Sequence, residues 1–295
     1  MSITKKNAGD MDQHRVSAVY LREFGFKEGE QWKITTLEKK KRELMQRIGK
    51  RWVGEKSIDS VTTAPNEFDL KGADPDLRRL LEENFSKIET DYAKLVAEVN
   101  SGSLRDETAA KIAHFIASLL IRSKRFREVI DRILSLSNAG TFLEHMCVLM
   151  EPNTTQALVA KVMAIPIEHR LNHACVLVWH QLSIKLASFE MVVMKDYDNS
   201  GWSTSDEPVI LQNNFTSNSI LSIDTELWFP LSKDYCLFMY HKNSPHRQHP
   251  LRKHPHGTFI QAGEWERHVF SEFVFERARE YVFFSSRSSF KEPMD

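Results

Sequence analysis

The sequence predicts an α+β fold with a central antiparallel helical pair and an antiparallel sheet formed mainly by the C-terminal third. Three observations support this prediction. Residues 12–70 contain a strand-like alternation, and residues 74–187 contain two successive apolar stripes at helical spacing. Residues 188–295 contain short apolar and aromatic runs separated by turn residues, a pattern typical of strands.

Composition excludes several classes of protein. Hydrophobic residues make up 41% of the 295, and the 40 basic residues balance the 40 acidic ones. A net charge of zero provides no global attraction to nucleic acid or acidic membranes. The three cysteines lie far apart, the first 13 residues do not resemble a secretory signal, and the apolar runs are too short for a bilayer. We therefore expect a cytoplasmic protein without a membrane partner.

The N-terminal region begins with a predicted strand and continues into a basic segment. Residues 31–37 alternate apolar and polar side chains, as a half-buried strand does. The basic segment that follows begins with Lys39, Lys40, Lys41 and Arg42. These side chains are candidates for contacts with nucleic acid, although a solvated helix face or loop is the simpler interpretation.

The middle region predicts two neighbouring helices. Asp74 and Pro75 form a helix start, because Asp accepts an unpaired N–H and Pro has none to leave unpaired. One apolar stripe follows up to residue 99, and a break at 100–102 separates it from a second stripe at 112–133, which Asn138-Ala139-Gly140 closes. Ser103 with Asp106 resembles a capping box for the second helix. A short connection predicts that the two helices pack antiparallel.

The remaining elements complete the predicted fold. Further helices are expected at 155–164 and 168–186, on either side of Pro166. The C-terminal region predicts strands at 189–194, 208–211, 227–231, 235–240 and 281–284, with a helix at 263–280 before the last strand.

Several short motifs occur along almost the whole chain. They are the N-terminal segment 14–24, the helical segment 112–123 that ends in Leu-Ile-Arg-Ser, Trp-Ser-Thr-Ser-Asp-Glu-Pro-Val at 202–209, Phe-Pro-Leu-Ser at 229–232, and Ala-Arg-Glu-Tyr-Val-Phe at 278–283. Their order and spacing resemble the domain-of-unknown-function family 4238. The resemblance implies one mixed domain over residues 1–295, but no reaction. Ser17-Ala18 replaces the Pro-Gln of the family, and Glu207 replaces its Asn.

The polar residues in these motifs are the candidate catalytic group: His14, Arg122, Ser205 and Asp206. A His and an Asp brought together act as a general base and its orienting partner, or as metal ligands. An Arg binds a phosphate in a bidentate manner. This group predicts a metal-assisted nuclease or phosphodiesterase with a divalent metal cofactor. The alternative is a non-catalytic binding or regulatory module, in which the same residues are structural and Arg122 pairs with Asp206.

Histidines provide a second candidate site. His169 and His173 are four residues apart on a predicted helix, so they share a face and are candidate metal ligands. Residues 241–256 contain five histidines together with Arg247, Arg252 and Lys253. This basic segment is a candidate contact for nucleic acid, although a mobile surface loop is the simpler interpretation.

Common catalytic motifs are absent from the sequence. It contains no P-loop, no G-x-G-x-x-G dinucleotide fingerprint and no G-x-S-x-G nucleophile elbow. A P-loop ATPase, a standard dinucleotide enzyme and an α/β-hydrolase are therefore not favoured.

Overall fold

The computed structural model describes residues 12–41, 53–72, 78–147, 151–196, 200–213, 222–244 and 249–286. The helix start predicted at Asp74 and Pro75 and the basic residues Arg42 and Arg247 lie outside these ranges. The proportions of helix and strand agree with the predicted α+β class.

Helices of the middle region form one layer of the fold. After the short α1 (Ala18–Arg22), they are α2 (Leu80–Asn100), α3 (Asp106–Arg122), α4 (Lys124–Leu134), α5 (Ala139–Met146), α6 (Pro152–Ala164) and α7 (Arg170–Ala187). Helices α2 and α3 pack against each other across the connection 101–105, which confirms the predicted helical pair. Helix α3 packs even more extensively against α7. No helix in the described ranges combines the length and hydropathy needed to cross a membrane.

The second predicted helix is interrupted at Ser123. This residue is extended, and its hydroxyl accepts a hydrogen bond from the Phe126 N–H, so it ends α3 and caps α4. The capping box predicted at Ser103 is wrong, because Arg105 precedes the first turn of α3 and makes no side-chain cap.

Strands occur at both ends of the chain. Those of the N-terminal region are β1 (Asp12–His14), β2 (Phe26–Glu28), β3 (Gln31–Glu38), β4 (Gly54–Ser57) and β5 (Thr63–Pro65). Those of the C-terminal region are β6 (Phe189–Lys195), β7 (Thr204–Ser205), β8 (Ile210–Asn213), β9 (Thr225–Pro230), β10 (Tyr235–His241), β11 (Phe259–Gln261) and β12 (Tyr281–Phe284).

A five-stranded sheet in the order β11-β6-β10-β9-β8 contains most of the C-terminal strands. Its pairs are antiparallel except β11 with β6, which is parallel. Leu237 and Met239 belong to the core shared with the helical layer, whereas Phe238 and Tyr240 belong to the core beneath α8 (Glu264–Arg277). Burial of both faces explains why β10 is a continuous apolar run.

A second sheet joins the two ends of the chain. Strand β3 pairs with β2 at residues 31–33 and with β12 at residues 35–38, and β12 pairs with β7. Strand β4 pairs with the edge of β3 opposite to β2 and β12. Strand β12 therefore lies between β3 from the N-terminal region and β7 from the C-terminal region. This arrangement brings the motifs at 202–209 and 278–283 together beside a strand from the N-terminal region.

Candidate functional site

Asp206 fixes the segment that enters the last strand. Its carboxylate oxygens accept hydrogen bonds from the backbone N–H groups of Arg279 (2.9 Å) and Glu280 (2.7 Å). Its own N–H donates to the Tyr281 carbonyl at 3.1 Å. Burial raises the pKa of Asp206, and these N–H donors act in the opposite direction. Both carboxylate oxygens are thus engaged with the backbone.

Glu207 connects the same motif to the start of α4. Its Oε1 accepts a hydrogen bond from the Arg125 N–H at 3.0 Å, beside the cap made by Ser123. The Glu207 N–H donates to Ser205 Oγ at 3.1 Å. Burial raises the pKa of Glu207. The start of α4 needs only an acceptor oxygen at this position, and the side-chain amide of the Asn found in the family would also provide one. Sequence reasoning did not select Glu207 as a site residue.

Arg279 connects this network to a second point on α4. Its guanidinium forms two hydrogen bonds with the Glu128 carboxylate on α4. Its Nε lies 3.8 Å from Glu207 Oε1. The hydrogen bonds to Arg279 lower the pKa of Glu128. Residues from two distant motifs and the helical layer therefore share one polar cluster.

Arg122 belongs to a second network. It is buried, and its Nη1 donates to Glu89 Oε1 at 2.7 Å and to the His14 carbonyl at 3.4 Å. The guanidinium lies 4.4 Å from the centre of the Phe85 ring, a cation–π contact. Burial is the main cause of the lowered pKa of His14.

The predicted catalytic group is divided between these two networks. His14 meets Arg122 through its backbone carbonyl, and Ser205 contacts the Asp206–Glu207 segment. Among the described residues, the hydrogen bonds of Asp206 lead to the segment 279–281 and not to Arg122. The structural alternative of an Arg122–Asp206 bridge is corrected here: Arg122 pairs with Glu89.

Two adjacent clefts lie over the first network. The junction cleft has a volume of about 200 Å³, and the residues that matter here are Arg15, Lys124, Asp206, Glu207, Arg279 and Tyr281. The basic cleft is larger, about 570 Å³, and is lined by Lys39, Lys40, Lys124, Arg125, Glu276, Ala278, Arg279 and Glu280. The two clefts share Lys124, Arg279 and Glu280.

Residues from three of the sequence motifs therefore line the junction cleft: Arg15 from 14–24, Asp206 and Glu207 from 202–209, and Arg279 to Tyr281 from 278–283. The sequence model of a family described as a protein of unknown function (DUF4238) matches residues 12–288. The chain belongs to the DUF4238 family. No curated protein and no solved structure matches it. The site of this DUF4238 member must therefore be interpreted from its own geometry.

The histidine pair of the DUF4238 chain is separated by the start of a helix. His169 lies in a 3₁₀ turn (Ile167–His169), and His173 lies in the first turn of α7, with its Nε2 3.1 Å from the Lys71 carbonyl. Within the described residues, no three His, Cys, Asp or Glu side chains are grouped closely enough to hold a metal ion. A metal at His169 and His173 stays a prediction.

The basic segments divide into paired and unpaired cations. Lys39 donates to the Glu276 and Ala278 carbonyls at the end of α8, and Lys41 pairs with Glu38 at 2.9 Å. Lys40 is exposed in the basic cleft.

The second basic segment, residues 241–256, also contains one cation that is paired within the protein and one that is exposed. Arg252 is buried against Glu226, at 2.6 Å from Nε to Oε1, which removes it from the set of exposed contacts for nucleic acid. Lys253 is exposed and lines a separate cleft.

Proposed function

We propose that this protein is a non-catalytic binding module that contacts the phosphate backbone of nucleic acid through the basic cleft. The observation that supports it is the convergence of Lys40, Lys124 and Arg125. All three are exposed, and their side chains form no hydrogen bond or ion pair with the described residues. Unpaired cations gathered in one concave surface are available to phosphates.

The charge of the basic cleft supports a polyanionic ligand. Five of its lining residues are basic and two, Glu276 and Glu280, are acidic. Lys39 and Arg279 are already held by carbonyls and by Glu128, so they maintain the positive potential without changing partners. The protein as a whole has no net charge, so this local excess is what provides the attraction.

The contacts that Asp206 and Arg122 make within the protein favour binding over catalysis. Asp206 uses both carboxylate oxygens on backbone N–H groups, and Arg122 is buried against Glu89. A general base must reach the proton that it removes, and a phosphate clamp must reach its phosphate. Asp206 instead fixes the segment that enters β12, and Arg122 joins α3 to α2 and to the end of β1.

Fluorescence anisotropy with a labelled single-stranded oligonucleotide at low salt tests this proposal. The double variant Lys124→Ala with Arg125→Ala should bind more weakly than wild type. Lys161→Ala, an exposed lysine on α6, is the matched control and should bind as wild type does. Equal affinity of the double variant, or no binding by wild type, would contradict the proposal.

A metal-assisted nuclease or phosphodiesterase is the second candidate function. It is favoured by the presence of two carboxyl groups with raised pKa values, Asp206 and Glu207, in the same cleft as Lys124 and Arg279. A carboxyl that keeps its proton to higher pH is suited to general acid catalysis. Cleavage of labelled DNA and RNA with Mg²⁺ or Mn²⁺, lost in a folded Asp206→Asn variant, would support this candidate over the binding module.

The proposed compartment is the cytoplasm. The three cysteines, Cys147, Cys175 and Cys236, are free and buried. Burial raises the pKa of Cys147 and of Cys175 to about 11, so both remain thiols at neutral pH. Unpaired thiols are suited to a reducing environment.

A further inference from the structure

A third cleft, lined by residues outside the sequence motifs, lies where β10 ends. We call it the histidine-loop cleft, and its volume is about 520 Å³. Its important lining residues are Glu190, Tyr240, Lys242, Ser244, Arg252 and Lys253. They come from the start of β6, the end of β10 and the 3₁₀ turn Pro250–Lys253, so three separate elements form its walls.

Arg252 is held rigidly at this cleft by a buried carboxylate. Its Nε donates to Glu226 Oε1 at 2.6 Å, and its Nη1 donates to Ser244 Oγ. The side chains of Arg252 and Glu226 are 3% and 0% exposed. Such a partner fixes the orientation of the guanidinium before any ligand arrives.

The fixed guanidinium still has unused hydrogen-bonding capacity. Arg252 Nη2 is buried and has no hydrogen-bond partner, and neither has Glu226 Oε2. A buried donor without an acceptor destabilises the folded protein, so an oxygen supplied by a ligand would be bound favourably there. This orphaned donor is the second observation, independent of the shape of the cleft.

Tyr240 holds the turn across the cleft. Its hydroxyl lies 3.1 Å from the Arg252 carbonyl and 3.0 Å from the His254 carbonyl, and its single proton is shared between these two acceptors. Because both acceptors belong to the turn, its position relative to β10 is fixed. Lys253 belongs to this turn, whereas Lys242 directly follows β10.

The charged side chains around the histidine-loop cleft indicate the class of ligand that it binds. Lys242 and Lys253 are exposed and form no ion pair with the described residues. The charge of Arg252 is balanced by Glu226, so the two lysines provide the positive charge that matches the roughly two negative charges of a phosphate monoester. Glu190 on the remaining wall is an acceptor for hydroxyl groups and repels a second phosphate.

From these contacts we infer that the histidine-loop cleft binds a small hydroxyl-bearing phosphate monoester, such as a sugar phosphate. Lys242, Lys253 and Arg252 contact the phosphate, and Glu190 accepts from the hydroxyl groups. The volume is that of a small-molecule site rather than of a groove for a polymer. The site shares no lining residue with the basic cleft, so it is independent of the proposed nucleic-acid contact.

Isothermal titration calorimetry of the full chain with glucose 6-phosphate, at constant ionic strength, tests the inference. Wild type should show saturable binding, and glucose should show none. Lys242→Ala combined with Lys253→Ala should weaken binding by about tenfold or more, since two charged contacts are removed. These lysines are exposed, so the variant keeps the buried Arg252–Glu226 pair intact.

Two controls complete the experiment. Lys161→Ala should bind as wild type does, and Glu190→Gln should weaken glucose 6-phosphate but not inorganic phosphate. Absence of saturable binding, or equal affinity of the double lysine variant, would overturn the site. Inorganic phosphate binding as tightly as glucose 6-phosphate would overturn the hydroxyl contact of Glu190.

Discussion

The Tyr20 hydroxyl lies 2.6 Å from Thr204 Oγ1 and 2.9 Å from the Pro230 carbonyl, in the fully buried core. A phenol has a single proton, and the Pro230 carbonyl can only accept, so Tyr20 donates to Pro230 and accepts from Thr204. These three residues belong to three of the family motifs. One side chain thus connects segments more than 180 residues apart in the chain.

Removing this hydroxyl should destabilise the protein. We expect Tyr20→Phe to lower the free energy of unfolding by about 1–3 kcal/mol, because the Pro230 carbonyl loses its donor in a buried position. Tyr235→Phe is the matched control, since its hydroxyl makes no hydrogen bond with the described residues. Urea denaturation of both variants measures the difference. Equal effects would show that the Tyr20 hydrogen bonds contribute nothing specific.

Loss of the Arg122 guanidinium should lower the free energy of unfolding more than loss of the Tyr20 hydroxyl. We expect Arg122→Ala to cost about 3–5 kcal/mol, because Glu89 is left without its partner at a mostly buried site. Replacing both partners, as in Arg122→Met with Glu89→Leu, should recover part of the loss. Denaturation midpoints of the single and double variants test this. A double variant as unstable as Arg122→Ala would contradict the pairing, and exposed Arg132→Ala should change little.

Glu207 should make stability depend on pH. Its pKa is raised by burial above the ordinary 4.5, so the folded protein holds the proton more tightly than the unfolded chain. The stability gained from this proton is fully present below pH 4.5 and is lost as the pH rises through the folded pKa. Glu207→Gln keeps an acceptor oxygen but removes the charge, so it should flatten this decline.

Urea denaturation at a series of pH values between 4 and 8 measures this effect. Asp206 also has a pKa raised by burial, so part of the decline should remain in Glu207→Gln. Glu30→Gln, at an exposed turn position, is the control and should follow wild type. A Glu207→Gln curve parallel to wild type would show that the Glu207 carboxyl does not cause the pH dependence.

Nucleic-acid affinity should depend on salt in proportion to the cations of the basic cleft. Removing Lys124 should reduce the slope of log K against log salt concentration by roughly one, because one phosphate contact is lost. Anisotropy titrations of wild type and Lys124→Ala over a range of NaCl concentrations measure both slopes. Identical slopes would mean that Lys124 contacts no phosphate.

The sequence predicted the positions of the core strands better than it predicted which strands pair with each other. Apolar alternation correctly located β3, and short apolar or aromatic runs located β6, β10 and β12, because burial controls which side chains are apolar. The pairing of β3 with β12 was not predictable, since periodicity contains no information on which strand lies alongside. The helix break at Ser123 was missed because apolar residues continue with helical spacing on both sides, so only the cap distinguishes two helices.

The candidate site was predicted in part. The sequence singled out the motif residues, but some of their partners are side chains that no motif contains. Glu89 and Glu128 look like ordinary surface residues on helices, yet they are the partners of Arg122 and Arg279. The signals in the sequence that could have marked Glu207 are its position beside Asp206 and its replacement of the Asn of the family. The Arg252–Glu226 pair gave no sequence pattern at all.

The position of β12 affects how the chain folds as it is synthesised. Strand β12 fills the space between β3 and β7, so the second sheet is incomplete until residue 284 has left the ribosome. Until then β3 and β7 each have an unpaired edge, which is prone to pair with other chains. A chain that stops before residue 281 would therefore be expected to aggregate even though most of its core residues are present.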